Sequence, residues 1–243
     1  MMNKVRLQPL VRLSDGAICG YEALSRKVEA NSYPSAVATL ERVASSCKCK
    51  NSFRLFVNMT VNDIVNPDFC ESFVDVLNEK QMDGSEVVLE VSESTPPDYL
   101  SQAQRTLSLL RRYDIKIALD DFGTEYANLS FLKELPVDVV KIDKKFVQEA
   151  PSNKRSRSLL QSCAKICHDI GCEVIVEGIE TQEHLDCAKN CGADVGQGFL
   201  FSSPFRALTS EPFIELYEFA AFSVGEIQKA CFCPIHTAST PML

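Results

Sequence analysis

Ile115-Lys116-Ile117-Ala118-Leu119-Asp120-Asp121-Phe122-Gly123-Thr124 is a short apolar run that closes on two adjacent acids and then breaks at a glycine. Brief apolar runs of this kind mark strands buried on both faces. Counting 115–119, the chain carries eight: the others are 5–11, 17–24, 53–59, 87–91, 137–142, 173–176 and 194–198. Amphipathic segments separate them. In 98–113, Tyr99, Ala103, Leu107 and Leu110 share one helical face; in 156–170 the facing set is Leu159, Cys163, Ile166 and Ile170. Gly171 and Gly192 stand where such helices stop. The segment 211–222 reads as a further helix. Strand–helix alternation implies a parallel sheet, either a (β/α) barrel or a doubly wound open sheet. Eight strands in this length favour the barrel.

The chain has 243 residues, 45% hydrophobic and 24% charged, which is the composition of a globular protein with a sizeable core. No internal repeat or low-complexity linker divides it. The expectation is a single α/β domain over 1–222, followed by a tail over 223–243. Asp and Glu outnumber Lys and Arg by 33 to 25, for a net charge of -8. That balance argues against binding a nucleic-acid polymer, which needs clustered cations. No signal peptide or membrane-spanning stretch is legible. With 11 cysteines, an odd number, the expected setting is the cytoplasm, with reduced thiols packed as small core residues. Cys231-Phe-Cys233-Pro-Ile-His236 and Cys47-Lys-Cys49 lack the usual spacing of a zinc site. Lys154-Arg-Ser-Arg157 reads as decoration of a helix start. A dinucleotide-binding oxidoreductase on an open sheet is disfavoured, since the full glycine fingerprint is missing.

In a parallel α/β fold, ligands bind at the C-terminal ends of the strands. Carboxylates gather there in this chain. Glu22 closes 18–22, Glu90 lies near the end of 87–91, Asp120 and Asp121 close 115–121, Asp143 follows 139–142 and Glu177 closes 174–177. Asn58 holds the same relative place in 55–58. Carboxylates converging on one rim repel one another and resist burial. Cations relieve both costs, and an all-oxygen donor set suits Mg²⁺ or Mn²⁺ better than zinc. Helix capping and surface charge explain any single acid of this set but not its recurrence. Successive strand residues face opposite sides, so Asp120 and Asp121 can address one cleft only if the backbone turns between them. Two such acids can serve a pair of metals. Lys141, inside an apolar strand, either pairs with these acids or orients a water.

These motifs, in this order, resemble the EAL family of cyclic di-GMP phosphodiesterases. They comprise Glu22-Ala23-Leu24, Phe56-Val-Asn58, Glu90-Val-Ser-Glu93, Asp120-Asp121-Phe-Gly, Lys141-Ile-Asp143, Val176-Glu177-Gly-Ile-Glu180 and Gly196-Gln197-Gly. The resemblance implies a modified TIM (β/α)8 barrel that hydrolyses cyclic di-GMP to linear 5′-pGpG with two Mg²⁺ or Mn²⁺ ions. It assigns metal coordination to Glu22, Asn58, Glu90, Asp120, Asp121 and Glu177. It gives catalytic roles to Lys141, Glu177 and Glu22, and substrate contacts to Gln8, Leu24, Arg26, Asp143 and Gln197. Glu93 and Glu180 would brace the loop after Asp121. A homodimer is implied, with no membrane association. Two departures stand out: the stretch between Arg26 and Asn58 is short, and Glu125 replaces a usual glycine. They keep open an alternative, a catalytically silent EAL module that binds cyclic di-GMP or a protein partner.

Overall fold

The computed structural model describes residues 5–25, 35–48, 53–124, 129–206 and 214–215. In chain order the elements are β1 (Val5–Arg12), β2 (Ile18–Ser25), α1 (Ala36–Ser46), β3 (Cys47–Lys48), β4 (Arg54–Met59), α2 (Val61–Val65), α3 (Phe69–Lys80), β5 (Val87–Ser92), α4 (Leu100–Leu110), β6 (Lys116–Phe122), α5 (Leu129–Glu134), β7 (Val139–Ile142), α6 (Lys144–Glu149), α7 (Lys154–Asp169), β8 (Glu173–Val176), α8 (Gln182–Asn190), β9 (Val195–Gly196), β10 (Phe205–Arg206) and β11 (Ile214–Glu215). Strands β1, β2 and β4 to β9 form a closed eight-stranded barrel, since β1 also pairs with β9. The open doubly wound sheet is thereby excluded. Among the described residues, no helix is long and apolar enough to cross a membrane.

The all-parallel expectation needs one correction. Strand β1 runs antiparallel to both β2 and β9. Only five residues link β1 to β2, and a parallel crossover needs a dozen or more. The link is a tight turn: Arg12 N–H donates to Ala17 O at 2.8 Å, and Gly16 takes φ +77°, which a side chain would oppose.

The barrel interior is layered. Leu10, Cys19, Phe56, Val88, Ala118, Val139, Ile175 and Val195, one from each strand, form a separate apolar cluster. Side chains alternate along strands, so a step of two residues reaches the next layer inside. Toward the C-terminal rim that step gives Gln8, Glu22, Asn58, Glu90, Asp120, Lys141, Glu177 and Gln197. Strand β2 keeps this register through a bulge that leaves Cys19 unpaired. Toward the opposite end it gives Arg54 and Glu173, which form a two-pronged ion pair, one prong at 3.0 Å. The Arg54 guanidinium also lies 5.5 Å from the centre of the Phe56 ring. The barrel is thus sealed by an apolar plug between two charged ends.

The outward strand residues, such as Leu89, Ile117, Val140 and Val174, pack beneath the helices in one continuous core. Helix α4 presents Ala103, Leu107 and Leu110 inward, as its periodicity predicts. Helix α7 does not follow its expected face: Ser156, Leu160, Ala164 and Cys167 are buried, while Leu159, Ile166 and Ile170 are 47%, 41% and 52% exposed. The sequence carries two apolar stripes there. The one with small residues wins because it lets the helix approach the sheet closely. Anchors at the helix start fix the choice. Ser156 Oγ donates to Glu149 Oε2 at 2.7 Å, and the Arg157 guanidinium donates to the carbonyls of Ala150 and Pro151. Within the helix expected over 211–222, the described residues Ile214–Glu215 are instead extended and pair in parallel with β3. The remainder of that segment and the tail from 223 lie outside the described residues.

Phe56 is fully buried at the centre of the plug. Phe56→Ala is expected to cost about 3–5 kcal/mol, read as a lowered midpoint in chemical denaturation.

Candidate active site

The polar rim is built strand by strand. Strand β6 ends in an irregularity: its register against β7 shifts between Leu119 and Phe122. Asp121 sits there with φ +58°, in the left-handed region. Aspartate tolerates that region better than most residues, at some cost in strain. The kink is what turns Asp120 and Asp121 toward the same space. Gly123 follows at φ +98°, and a Cβ there would lie 2.5 Å from the Phe146 ring. The loop is pinned from β5: Glu93 Oε2 accepts from the N–H of Gly123 at 2.8 Å and of Thr124 at 3.2 Å. Carboxylate oxygens of Asp120, Asp121 and Glu177 lie within 4.8 Å of one another.

Lys141 stands in the middle of the acids. Its Nζ lies 2.7 Å from Glu90 Oε1, 2.8 Å from Glu177 Oε1, 3.0 Å from Asp120 Oδ1 and 3.5 Å from Glu22 Oε2. The side chain is 1% exposed. Burial alone would push its pKa down, but Asp120, Glu177, Glu22 and Glu90 together hold it well above the usual lysine value. The acids move up as well. Burial, then Glu22, raises Glu90 well above the usual range against the pull of Lys141. Burial pushes Glu177 up to about 7, and burial with Asp120 raises Asp121. The contact between Nζ and Glu90 Oε1 is close but poorly directed. It acts as an ion pair, and both Glu90 oxygens and Asp120 Oδ1 have no hydrogen-bond donor among the described residues.

Glu22 is held from two sides. Asn58 Nδ2 donates to Oε1 at 3.2 Å, and Gln197 Nε2 donates to Oε2 at 2.6 Å. Gln197 also donates to Gln8 Oε1 at 3.2 Å, and Gln8 Nε2 donates to Ser202 O at 3.3 Å. Gln8 and Gln197 are therefore buried supports of Glu22, a role that their position at strand ends did not reveal. Asp143 is buried too, and its Oδ1 caps α6 by accepting from Lys145 N–H at 2.9 Å. Glu180 lies on the exposed side, accepting from Gln148 Nε2 at 3.1 Å. Arg26 and Glu125 lie outside the described residues.

Two adjoining cavities open on this rim and share Glu22, Leu24, Asp120 and Asp121. One, about 570 Å³, is also lined by Asn58, Thr60, Ser94 and Thr95. The other, about 310 Å³, is also lined by Gln8, Lys144, Glu177, Gln197 and Phe199. These volumes suit a small-molecule ligand. Thr60, Ser94 and Thr95 escaped the sequence reading, although each lies within two residues of Asn58 or Glu93. Phe199, 58% exposed, was legible as an aromatic following Gln197-Gly198. A larger dish of about 920 Å³ lies at the opposite end, around Arg54 and Glu173. Its carboxylates are already committed: Asp138 to Arg111, Glu173 to Arg54 and Asp194 to His168. That end of a TIM barrel serves stability rather than chemistry.

Fold and site together define a closed α/β barrel whose C-terminal rim carries an acidic cluster able to bind metal. The EAL domain model matches residues 3–204, and the chain belongs to that family. Cyclic di-GMP phosphodiesterase PdeL of Escherichia coli (strain K12) is 32% identical over 154 residues, 63% of this chain and 42% of that protein. The EAL domain of Mycobacterium smegmatis DcpA is 27% identical, with a TM-score of 0.76 over 84% of this chain and 92% of that one. Klebsiella pneumoniae BlrP1, solved as a manganese/cy-diGMP complex, is 25% identical, with a TM-score of 0.78 over 85% of this chain and 57% of that one. The chain spans less than half the length of the first curated relatives it matches.

The raised Glu177 pKa has a thermodynamic consequence in protein stripped of divalent ions. Between 4.5 and about 7 the folded state binds a proton that the unfolded state has released, so stability falls as pH rises through that window. Measured in chelator, the melting midpoint of the wild type relative to Glu177→Gln should decline from pH 4.5 to 7. A constant difference would contradict the environment assigned to Glu177.

Proposed function

We propose that this chain hydrolyses cyclic di-GMP to linear 5′-pGpG with two divalent cations, Mg²⁺ or Mn²⁺. The observation that carries the reading is the carboxylate cluster at a ligand-sized cleft: Asp120 and Asp121 line it, and behind them the buried oxygens of Glu90 meet only the Lys141 ammonium among the described residues. A clustered all-oxygen donor set with a single ammonium to offset its charge fits hard cations. The family membership and the relatives named as cyclic di-GMP phosphodiesterases support the same substrate.

Glu22, Asn58, Glu90, Asp120, Asp121 and Glu177 would hold the ions. Bound there, the cations would stabilise negative charge developing on the phosphoryl oxygens and favour deprotonation of the attacking water. The chain's own groups do the rest. Gln8 and Gln197 keep Glu22 in place, and Glu93 fixes the kinked backbone that aims Asp121. Lys141 and Glu177 flank the position for the attacking water, with the lysine orienting it and the glutamate receiving its proton. The water oxygen forms the new bond to phosphorus, the bond to the 3′ oxygen breaks, and that oxygen takes up a proton from solvent, while Glu177 later returns to solvent the proton it received. Leu24 and Phe199 offer apolar surface to the guanine bases, and Arg26 is assigned to a phosphate. We place the protein in the bacterial cytoplasm, as a homodimer.

Purified protein incubated with cyclic di-GMP and Mg²⁺ or Mn²⁺ should yield pGpG by chromatography, with none formed in chelator. Nucleotide binding without turnover would mark a silent receptor instead. Lys141→Ala and Glu22→Ala should each lower turnover by about 100-fold or more. Light scattering at working concentration should give twice the chain mass.

A further inference from the structure

We propose that Lys141 is the resident cation of the metal-free site, holding the rim carboxylates together until divalent ions take over the same oxygens. The inference rests on the reading of this rim as a metal centre, and it concerns how the site survives and fills rather than how it turns over. An ammonium has three N–H bonds, yet Nζ lies within 3.5 Å of oxygens from four acids, Glu22, Glu90, Asp120 and Glu177. More acids surround it than hydrogen bonds can serve, so it acts as a point charge at their centre. Positioning one water needs no such arrangement.

The burial makes this charge structural. Glu90 is fully buried, and among the described residues its oxygens meet only the Lys141 ammonium. Without Lys141 its charge would face Glu22 and Asp120 in a low-dielectric interior with nothing to offset it. The charge balance fits replacement by metal. With every carboxylate ionised, as metal binding requires, Glu22, Glu90, Asp120, Asp121 and Glu177 carry five negative charges against one positive on Lys141. The remaining four are what two divalent ions neutralise.

Filling the site is then an exchange. The atoms that touch Nζ include Glu90 Oε1, Asp120 Oδ1 and Glu177 Oε1, the same oxygens a cation would need. Asp121 makes no ion pair with Lys141 among the described contacts, and its carboxylate converges with Asp120 and Glu177 on the less buried side. Lys141 therefore stabilises the empty barrel and, by competing for the same oxygens, weakens metal binding. Its removal should act on these two quantities in opposite directions.

The test compares wild type, Lys141→Met and Lys141→Arg, each purified with Mn²⁺ and then stripped with chelator. Melting is followed with and without added Mn²⁺, and Mn²⁺ affinity is measured by calorimetry. Stripped Lys141→Met should melt about 6 °C or more below stripped wild type, Mn²⁺ should close that gap, and its Mn²⁺ affinity should rise about tenfold. Lys141→Arg keeps the charge and should restore most of the stripped stability. Lys141→Met that folds only with Mn²⁺ also supports the inference. Equal melting of the stripped wild type and Lys141→Met overturns it, as does a Lys141→Met protein that Mn²⁺ cannot rescue. If Mn²⁺ fails to stabilise even the wild type, the metal-centre reading falls first and takes the inference with it.

Discussion

One ammonium among four carboxylates is the constraint around which the barrel's C-terminal rim is organised. Four acids delivered by β2, β5, β6 and the end of β8 converge inside a barrel whose wall is apolar. Left to themselves they would repel and seek water. Lys141 on β7 lies near their centre, and its own burial is tolerable only because they surround it. Lysine and acids make each other possible, and neither is stable in that place alone.

The layers beneath and beside this group give it rigidity. The apolar plug centred on Phe56 keeps water from reaching the acids from below, and the Arg54–Glu173 pair closes the far end. At the rim, every strand contributes at least one polar residue, and the support is asymmetric. Glu22 is held by two amide side chains, with Gln8 behind Gln197, whereas Glu90 has only the lysine. The kink at Asp121 stores backbone strain. Glu93 holds that strain in place by taking the next two backbone N–H groups. Strain at such a position is maintained only where surrounding contacts over-determine it.

Much of this was legible in the residues. Brief apolar runs ending in acids identify the strands and the rim, because period and burial act locally along the chain. The turn required between Asp120 and Asp121 followed from alternation alone. Other features were not legible. The face that α7 buries depended on which stripe let the helix sit closest to the sheet. The direction of β1 depended on the length of the link to β2. That Asp143 Oδ1 caps the first turn of α6 was not legible either. Gln8 and Gln197 line the rim cavity, and Gln197 also donates to Glu22 with Gln8 behind it.

The division has a physical basis. The sequence by itself determined which residues are strand, which strand ends carry oxygen donors, and that their sum of charge calls for a cation. Those are properties of local spacing and side-chain chemistry. Only the tertiary structure decided which oxygen meets which donor, because contacts between Gln197 and Glu22, or between Lys141 and Glu22, join residues more than a hundred positions apart. Barrel closure, with β1 pairing to β9, is what brings those ends of the chain to the same rim.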